Sequence, residues 1–199
     1  MAVPFGHPVS LEEYLALPEH AGLEEVIDGR TEPLATPSHD HNDAAYRLAS
    51  LVLGPVLPAG LRVILGPTGT LIRRSPLRVR EPDLKVIRWA DCRPGHTFVD
   101  TPPVLVVEVV SPLHGRRRDL ADKRHDYAAA GVPSYWVVDL ELVAVHILDL
   151  AGAHYRDVAL AEGDELIETD RPFPVAFRPS DLVPRPPGRS EPPSAPPPG

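Results

Sequence analysis

EPDLKVIR (81–88), PVLVVEVVSP (103–112), HGRRRDLADKRHDYAAAGVP (114–133) and SYWVVDL (134–140) are the four pieces whose reading decides the fold. The first two are short apolar strands, and each carries one carboxylate, Asp83 and Glu108. A charge buried inside a hydrophobic sheet is costly unless it is paired. A divalent metal is the partner that explains two such acids together. In VLVVEVV apolar residues stand on both sides of the strand, which predicts burial on both faces and a central place in the sheet. Glu108 falls on the same side as Val104, Val106 and Val110. A pairing of Glu108 with one arginine would be a weak source of stability, whereas ionisable groups perturbed by burial concentrate at active sites. Asp83 follows Pro82 at the mouth of its strand, so two adjacent strands bring both carboxylates to one place. Hard cations such as Mg²⁺ favour such an oxygen-rich pair, completed by water and a substrate phosphate.

The third piece predicts a helix that ends at Gly131 and leads into a third apolar strand. Leu120 and Tyr127 mark its buried stripe, with Lys123 and Arg124 flanking it on opposite sides. Either long stem can lie on apolar surface and bring its charge inward, and spacing does not choose between them. Arg116, Arg117 and Arg118 lie near the helix start, where the macrodipole disfavours cations. That placement suits either an anionic ligand or a solvated basic turn.

Working outward, Ser10 and Glu13 form a capping box for a helix over LEEYLAL. The segments LEEVIDG and RTEPLA read as strands joined at Asp28-Gly29, a two-residue hairpin signal. Ser38 caps a second helix, in which Ala44, Leu48, Leu51, Val52 and Val56 recur at helical spacing. LRVILG and TLIRRSP, joined through Pro67 to Gly69, are expected to form a further hairpin. VAVHILDL, HYRDVAL and DELIET are three successive strands. From Pro184 eight of sixteen residues are proline, a composition that builds no core and predicts an extended tail over 184–199.

The 199 residues are 43% hydrophobic and 24% charged, which suits one α/β or α+β domain with a tail. A single cysteine, Cys92, excludes an intrachain disulfide framework and fits a reducing cytoplasm. No apolar run is long enough to span a bilayer as a helix, so no membrane partner is expected. The net charge of −8 means that any grip on nucleic acid must come from a local basic cluster. No P-loop, zinc-type cysteine set or G-x-S-x-G elbow is present.

EVIDG (25–29), PSHDH (37–41), EPDLKVI, PPVLVVEVVSP and the spaced set Lys123, Tyr127, Gly131, Val132, Tyr135, Trp136 and Asp139 together resemble the Uma-type restriction endonuclease family, within the PD-(D/E)XK nuclease superfamily. The resemblance covers roughly residues 11–183. It implies a restriction-endonuclease-like core over 1–183, with a central mixed β-sheet flanked by helices. Asp83 and Glu108 then match the family's metal-binding acids, and Glu25 matches a third acid acting as metal or water ligand. Lys123 matches the basic residue that replaces the motif lysine, since Val110 and not a lysine follows Glu108 by two positions. His41 and Tyr127 are accessory candidates. The implied activity is hydrolysis of DNA phosphodiester bonds with Mg²⁺ or Mn²⁺. Arg116, Arg117, Arg118, Arg73 and Arg74 would grip DNA phosphates, and double-strand cleavage would be served by a homodimer. The alternatives are a catalytically inactive nuclease-like module that binds DNA or a protein partner, and a metal-dependent hydrolase of another phosphoester.

Overall fold

Alternating apolar residues and two-residue turns make strands the commonest regular structure among the described residues, and the helices at Leu11–Leu15 and His39–Arg47 open at side-chain caps. The structure, a computed structural model, describes residues 6–16, 24–66, 68–110 and 116–184, with only the backbone described at 24 and 116–119. The proline-rich tail expected over 184–199 lies, apart from its first residue, outside the described residues.

In chain order the elements are α1 (Leu11–Leu15), β1 (Glu24–Ile27), β2 (Arg30–Pro33), α2 (His39–Arg47), β3 (Leu61–Leu65), β4 (Gly69–Arg74), β5 (Leu77–Arg80), β6 (Leu84–Arg88), β7 (Phe98–Val99), β8 (Leu105–Val110), α3 (Arg116–Ala129), β9 (Ser134–Asp139), β10 (Ala144–Ala151), β11 (His154–Glu162), β12 (Ile167–Thr169) and β13 (Val175–Phe177). The central sheet has six strands in the order β11-β10-β9-β8-β6-β3. Only β8 and β9 run parallel in it, joined through α3, the crossover that parallel neighbours require. A second sheet has the order β2-β1-β5-β4-β7, and β12 pairs with β13 as a small third one.

The expected caps are present. Ser10 Oγ accepts from the Glu13 N–H, and Glu13 Oε2 accepts from the Ser10 N–H at 2.7 Å. Ser38 Oγ accepts from the His41 N–H and opens α2. The β1–β2 hairpin turns at Asp28 and Gly29, with φ of 49° and 77°, the positive values that this turn needs.

Two expectations are corrected. LRVILG and TLIRRSP do not pair. β3 runs antiparallel to β6 in the central sheet, while β4 pairs with β5 in the second sheet. β3 and β4, consecutive in the chain, therefore lie in different sheets, and Gly66, just after β3, adopts a positive φ of 85°. The helical spacing also breaks after Leu48. Residues Leu48–Leu53 form a wider π-helical turn, which rotates the register and buries Ala49 and Leu53 while leaving Leu51 60% exposed and Val56 43% exposed.

The central sheet divides the interior. On one face Leu84, Val86, Leu105, Val107, Val109 and Trp136 pack against Ala44, Ala45, Leu48, Val52 and Leu53 of α2 and its continuation. On the other, Val106 and Tyr135 pack against Tyr127 and Ala128 of α3. Glu108 shares the face of Val106, as strand alternation requires.

Candidate active site

Four elements converge on the α3 face of the central sheet. β8 supplies Glu108, the approach to β6 supplies Asp83, β1 supplies Glu25 and α3 supplies Lys123. Glu108 is buried in the middle of a strand flanked by β6 and β9. Of the two cations flanking the helix stripe, Lys123 turns inward. Its Nζ donates to Glu108 Oε2 at 2.8 Å and stands 3.8 Å from Glu25 Oε1. Arg124 turns to the other side and donates to the Tyr155 carbonyl. Tyr127, one helical turn beyond Lys123, donates its hydroxyl to Glu108 Oε1 at 2.6 Å. Both oxygens of Glu108 are therefore held by α3.

Asp83 sits at the rim of the same group. Its Oδ2 accepts from the Val109 N–H at 2.7 Å, which binds the start of β6 to the strand of Glu108. His41 Nε2, from the first turn of α2, stands 3.2 Å from the same oxygen. This accounts for His41, which reaches the acids from the opposite face of the sheet around the strand ends.

Burial pushes the Glu108 carboxyl up to about 7, and the charge of Asp83 pushes the same way against the pull of Lys123 and Tyr127. Burial and then the Glu108 charge hold the Tyr127 hydroxyl well above its ordinary value, so it remains a proton donor. For His41 burial works downward, but the hydrogen bond and charge of Asp83 outweigh it and raise its pKa.

Glu25 brings two residues that sequence reasoning missed. Arg80 Nη1 donates to Glu25 Oε2 at 2.5 Å, and Arg80 Nε donates to Asp126 Oδ2 at 2.7 Å. Asp126 also accepts from Arg78 Nη1 at 2.6 Å. The only hint in the sequence is spacing: in LRVR the arginines alternate with Leu77 and Val79, so they occupy one face of the strand, and Asp126 lies three residues after Lys123 on the same helix face.

The remaining candidates lie elsewhere. Arg73 is tied to Asp28 at 2.6 Å and to the Pro76 carbonyl, and Arg74 stands 3.5 Å from Asp100. Both side chains are exposed at the end of β4. The side chains of Arg116, Arg117 and Arg118 lie outside the described residues. Asp139 accepts from the Glu141 and Leu142 N–H groups and serves the turn, while Trp136 stacks on Phe177 in the core. Lys85, which follows Asp83 by two positions, is engaged by the Thr68 and Gly69 carbonyls and by Thr70 Oγ1, to which its ammonium donates.

The family model described as "Putative restriction endonuclease", Uma2, matches residues 11–182. The chain belongs to this Uma2 family. A crystal structure described as that of a putative nuclease belonging to DUF820, from Anabaena variabilis ATCC 29413, superposes with a TM-score of 0.68 at 19% identity. The match covers 88% of this chain and 97% of that one. At this identity the likeness speaks to fold, and the fold is restriction-endonuclease-like. No curated protein matches the chain. No described helix is long and apolar enough to cross a membrane.

The acids also bear on whether a metal fits. Asp83, Glu108 and Glu25 offer only carboxylate oxygens, the donors that Mg²⁺ and Mn²⁺ prefer. The unfavourable effect of the Asp83 charge on Glu108 is the kind of repulsion a shared cation relieves. Glu108 and Glu25 instead hold the side chains of Lys123 and Arg80, and Asp83 holds the His41 imidazole; no three His, Cys, Asp or Glu side chains among the described residues are grouped as a finished metal cage. The donor chemistry fits a hard divalent ion, provided that Lys123 yields part of Glu108.

Proposed function

We propose that the protein is a metal-dependent endonuclease that hydrolyses DNA phosphodiester bonds, with Asp83, Glu108, Lys123 and Glu25 as its catalytic residues. The observation that carries this reading is the 2.8 Å contact between the Lys123 ammonium and Glu108, two groups on different elements brought together inside the fold. Asp83 and Glu108 would hold Mg²⁺ or Mn²⁺, with Glu25 as a further oxygen donor. The ion's contribution when bound is to polarise the phosphodiester and to lower the pKa of a bound water.

The side chains divide the remaining work. Lys123, having yielded Glu108 Oε2 to the ion, would present its positive charge where negative charge builds on the phosphoryl oxygens. Tyr127 fixes one oxygen of Glu108, so the carboxylate keeps its orientation as the other is used. His41 and the Val109 N–H do the same for Asp83. Arg73 and Arg74, with Arg116 to Arg118, supply phosphate contacts, which give affinity without sequence information. A homodimer presenting two such sites would cut both strands.

The competing reading is a nuclease-like module that binds without cutting. It draws on the net charge of −8, which opposes DNA at long range. One assay separates the two. Supercoiled plasmid with Mg²⁺ or Mn²⁺ is expected to be nicked or linearised by the wild type, and EDTA is expected to stop it. Cleavage that persists in EDTA, or its absence with both metals, contradicts the proposal.

A further inference from the structure

The geometry points to Arg80, together with Asp126, as the positioning pair of this site: a buried guanidinium–carboxylate bridge that sets Glu25 against Lys123 and fixes the roll of α3. The inference rests on the nuclease reading for its consequence in catalysis, and on the geometry alone for its consequence in placing Lys123.

Arg80 is on β5, Glu25 on β1 and Asp126 on α3, so one guanidinium joins the second sheet to the helix. Its Nε and Nη1 each donate to a different carboxylate. A planar fork does this with a fixed angle between the two bonds, which a lysine ammonium does not reproduce. Its side chain is only 6% exposed, Glu25 is 6% exposed and Asp126 is 3% exposed. At such burial, removal of one partner leaves another charge uncompensated.

The consequence reaches Lys123 by two routes. Asp126 and Lys123 are three residues apart on α3 and share a face, so anchoring Asp126 stops the helix from rolling and keeps the ammonium aimed at Glu108. Arg80 holds Glu25 Oε2, while Oε1 accepts from the Glu81 N–H at 3.2 Å and stands 3.8 Å from the Lys123 ammonium. Arg78, half-buried, and the buried Asp126, Arg80, Glu25, Lys123 and Glu108 thus form a line of alternating charge. Neither Arg80 nor Asp126 touches Glu108, so their effect on the reaction passes through other residues.

The sequence provides a clean readout, because its only lysines are Lys85 and Lys123. Protein labelled with ¹³C,¹⁵N-lysine gives one side-chain signal from each. Lys85, with its own partners on Thr68, Gly69 and Thr70, reports that the fold is intact. In full-length Asp126→Asn the Lys123 signal is expected to move while the Lys85 signal stays. DNA cleavage by the same variant is expected to lose kcat by about 10- to 100-fold, with KM little changed. Arg80→Lys keeps the charge and loses the fork, and the same shift is expected in it. This variant also decides the matter should Asp126→Asn fail to fold. A Lys123 signal unmoved in whichever of the two variants folds overturns the proposal. So does a lowered Tm with Lys123 and kcat unaltered, since that describes a merely structural bridge. Should the wild type cleave no DNA, the function proposed above fails, and the lysine spectra still decide whether Arg80 and Asp126 position Lys123.

Discussion

The two faces of strand β8 differ as sharply as any two regions of this molecule. On one, Leu105, Val107 and Val109 meet α2 and its continuation in an apolar layer. On the other, Glu108 stands two residues from Val106 among Lys123, Glu25, Tyr127, Arg80 and Asp126. The apolar face gains stability with area buried. The charged face gains little, because desolvation offsets most of the attraction in a buried ion pair. A protein that needed only to stay folded would gain more from hydrocarbon there. On the proposed function the apolar face serves stability and the charged cluster on the other face serves chemistry, and substitutions should separate them.

The largest effect is expected on the charged face. Glu108→Gln or Asp83→Ala should reduce DNA cleavage to background, and Lys123→Met should lower it about 10²- to 10³-fold. Circular dichroism should show the fold kept in each. Loss of fold instead would make these groups structural.

The apolar face should answer in stability. Trp136→Ala, at a fully buried residue stacked on Phe177, should cost about 3–5 kcal/mol in urea denaturation. Cleavage per folded molecule should be kept. On the helix, Leu48→Ala should cost about 2–5 kcal/mol. Leu51→Ala, at the position turned outward by the π-helical turn, should change stability by about 0.5 kcal/mol or less. Equal losses at the two positions would mean that the helix keeps its regular register.

A smaller, pH-dependent effect belongs to Lys85. Burial pushes its ammonium down to about 7 from the ordinary 10.5, against the pull of Glu81. Between these values the unfolded chain holds a proton that the folded one releases. Stability should therefore rise with pH above about 7, by at most about 1.4 kcal/mol per unit from this group. Comparison with Lys85→Met between pH 7.5 and 9 isolates the slope, and identical slopes would show that Lys85 keeps its proton.

Much of this was legible in the sequence, and the parts that were not share a cause. Strand VLVVEVV declared its central position through apolar residues on both sides, and Asp28-Gly29 and the Ser10 and Ser38 caps declared local geometry. All depend on neighbours in sequence. The pairing of β3 with β6, in preference to β4, is a long-range choice that a turn at 66–69 does not encode. The outward turn of Leu51 depends on one widened turn, which a fixed helical period cannot reveal. At the site, Glu108 and Asp83 stood out because acids are rare in apolar strands. Arg80 and Asp126 did not, because arginine in a strand and aspartate on a charged helix are ordinary until the fold buries them. The choice between Lys123 and Arg124 likewise needed the position of β8.

The most direct test of the charged face as the reaction centre is a crystal of the wild type soaked in Mn²⁺ and measured at the manganese edge. One anomalous peak is expected in contact with the carboxylates of Asp83 and Glu108, with the Lys123 ammonium close by. Absence of a peak at these acids under saturating Mn²⁺, or an ion bound only elsewhere, would contradict it.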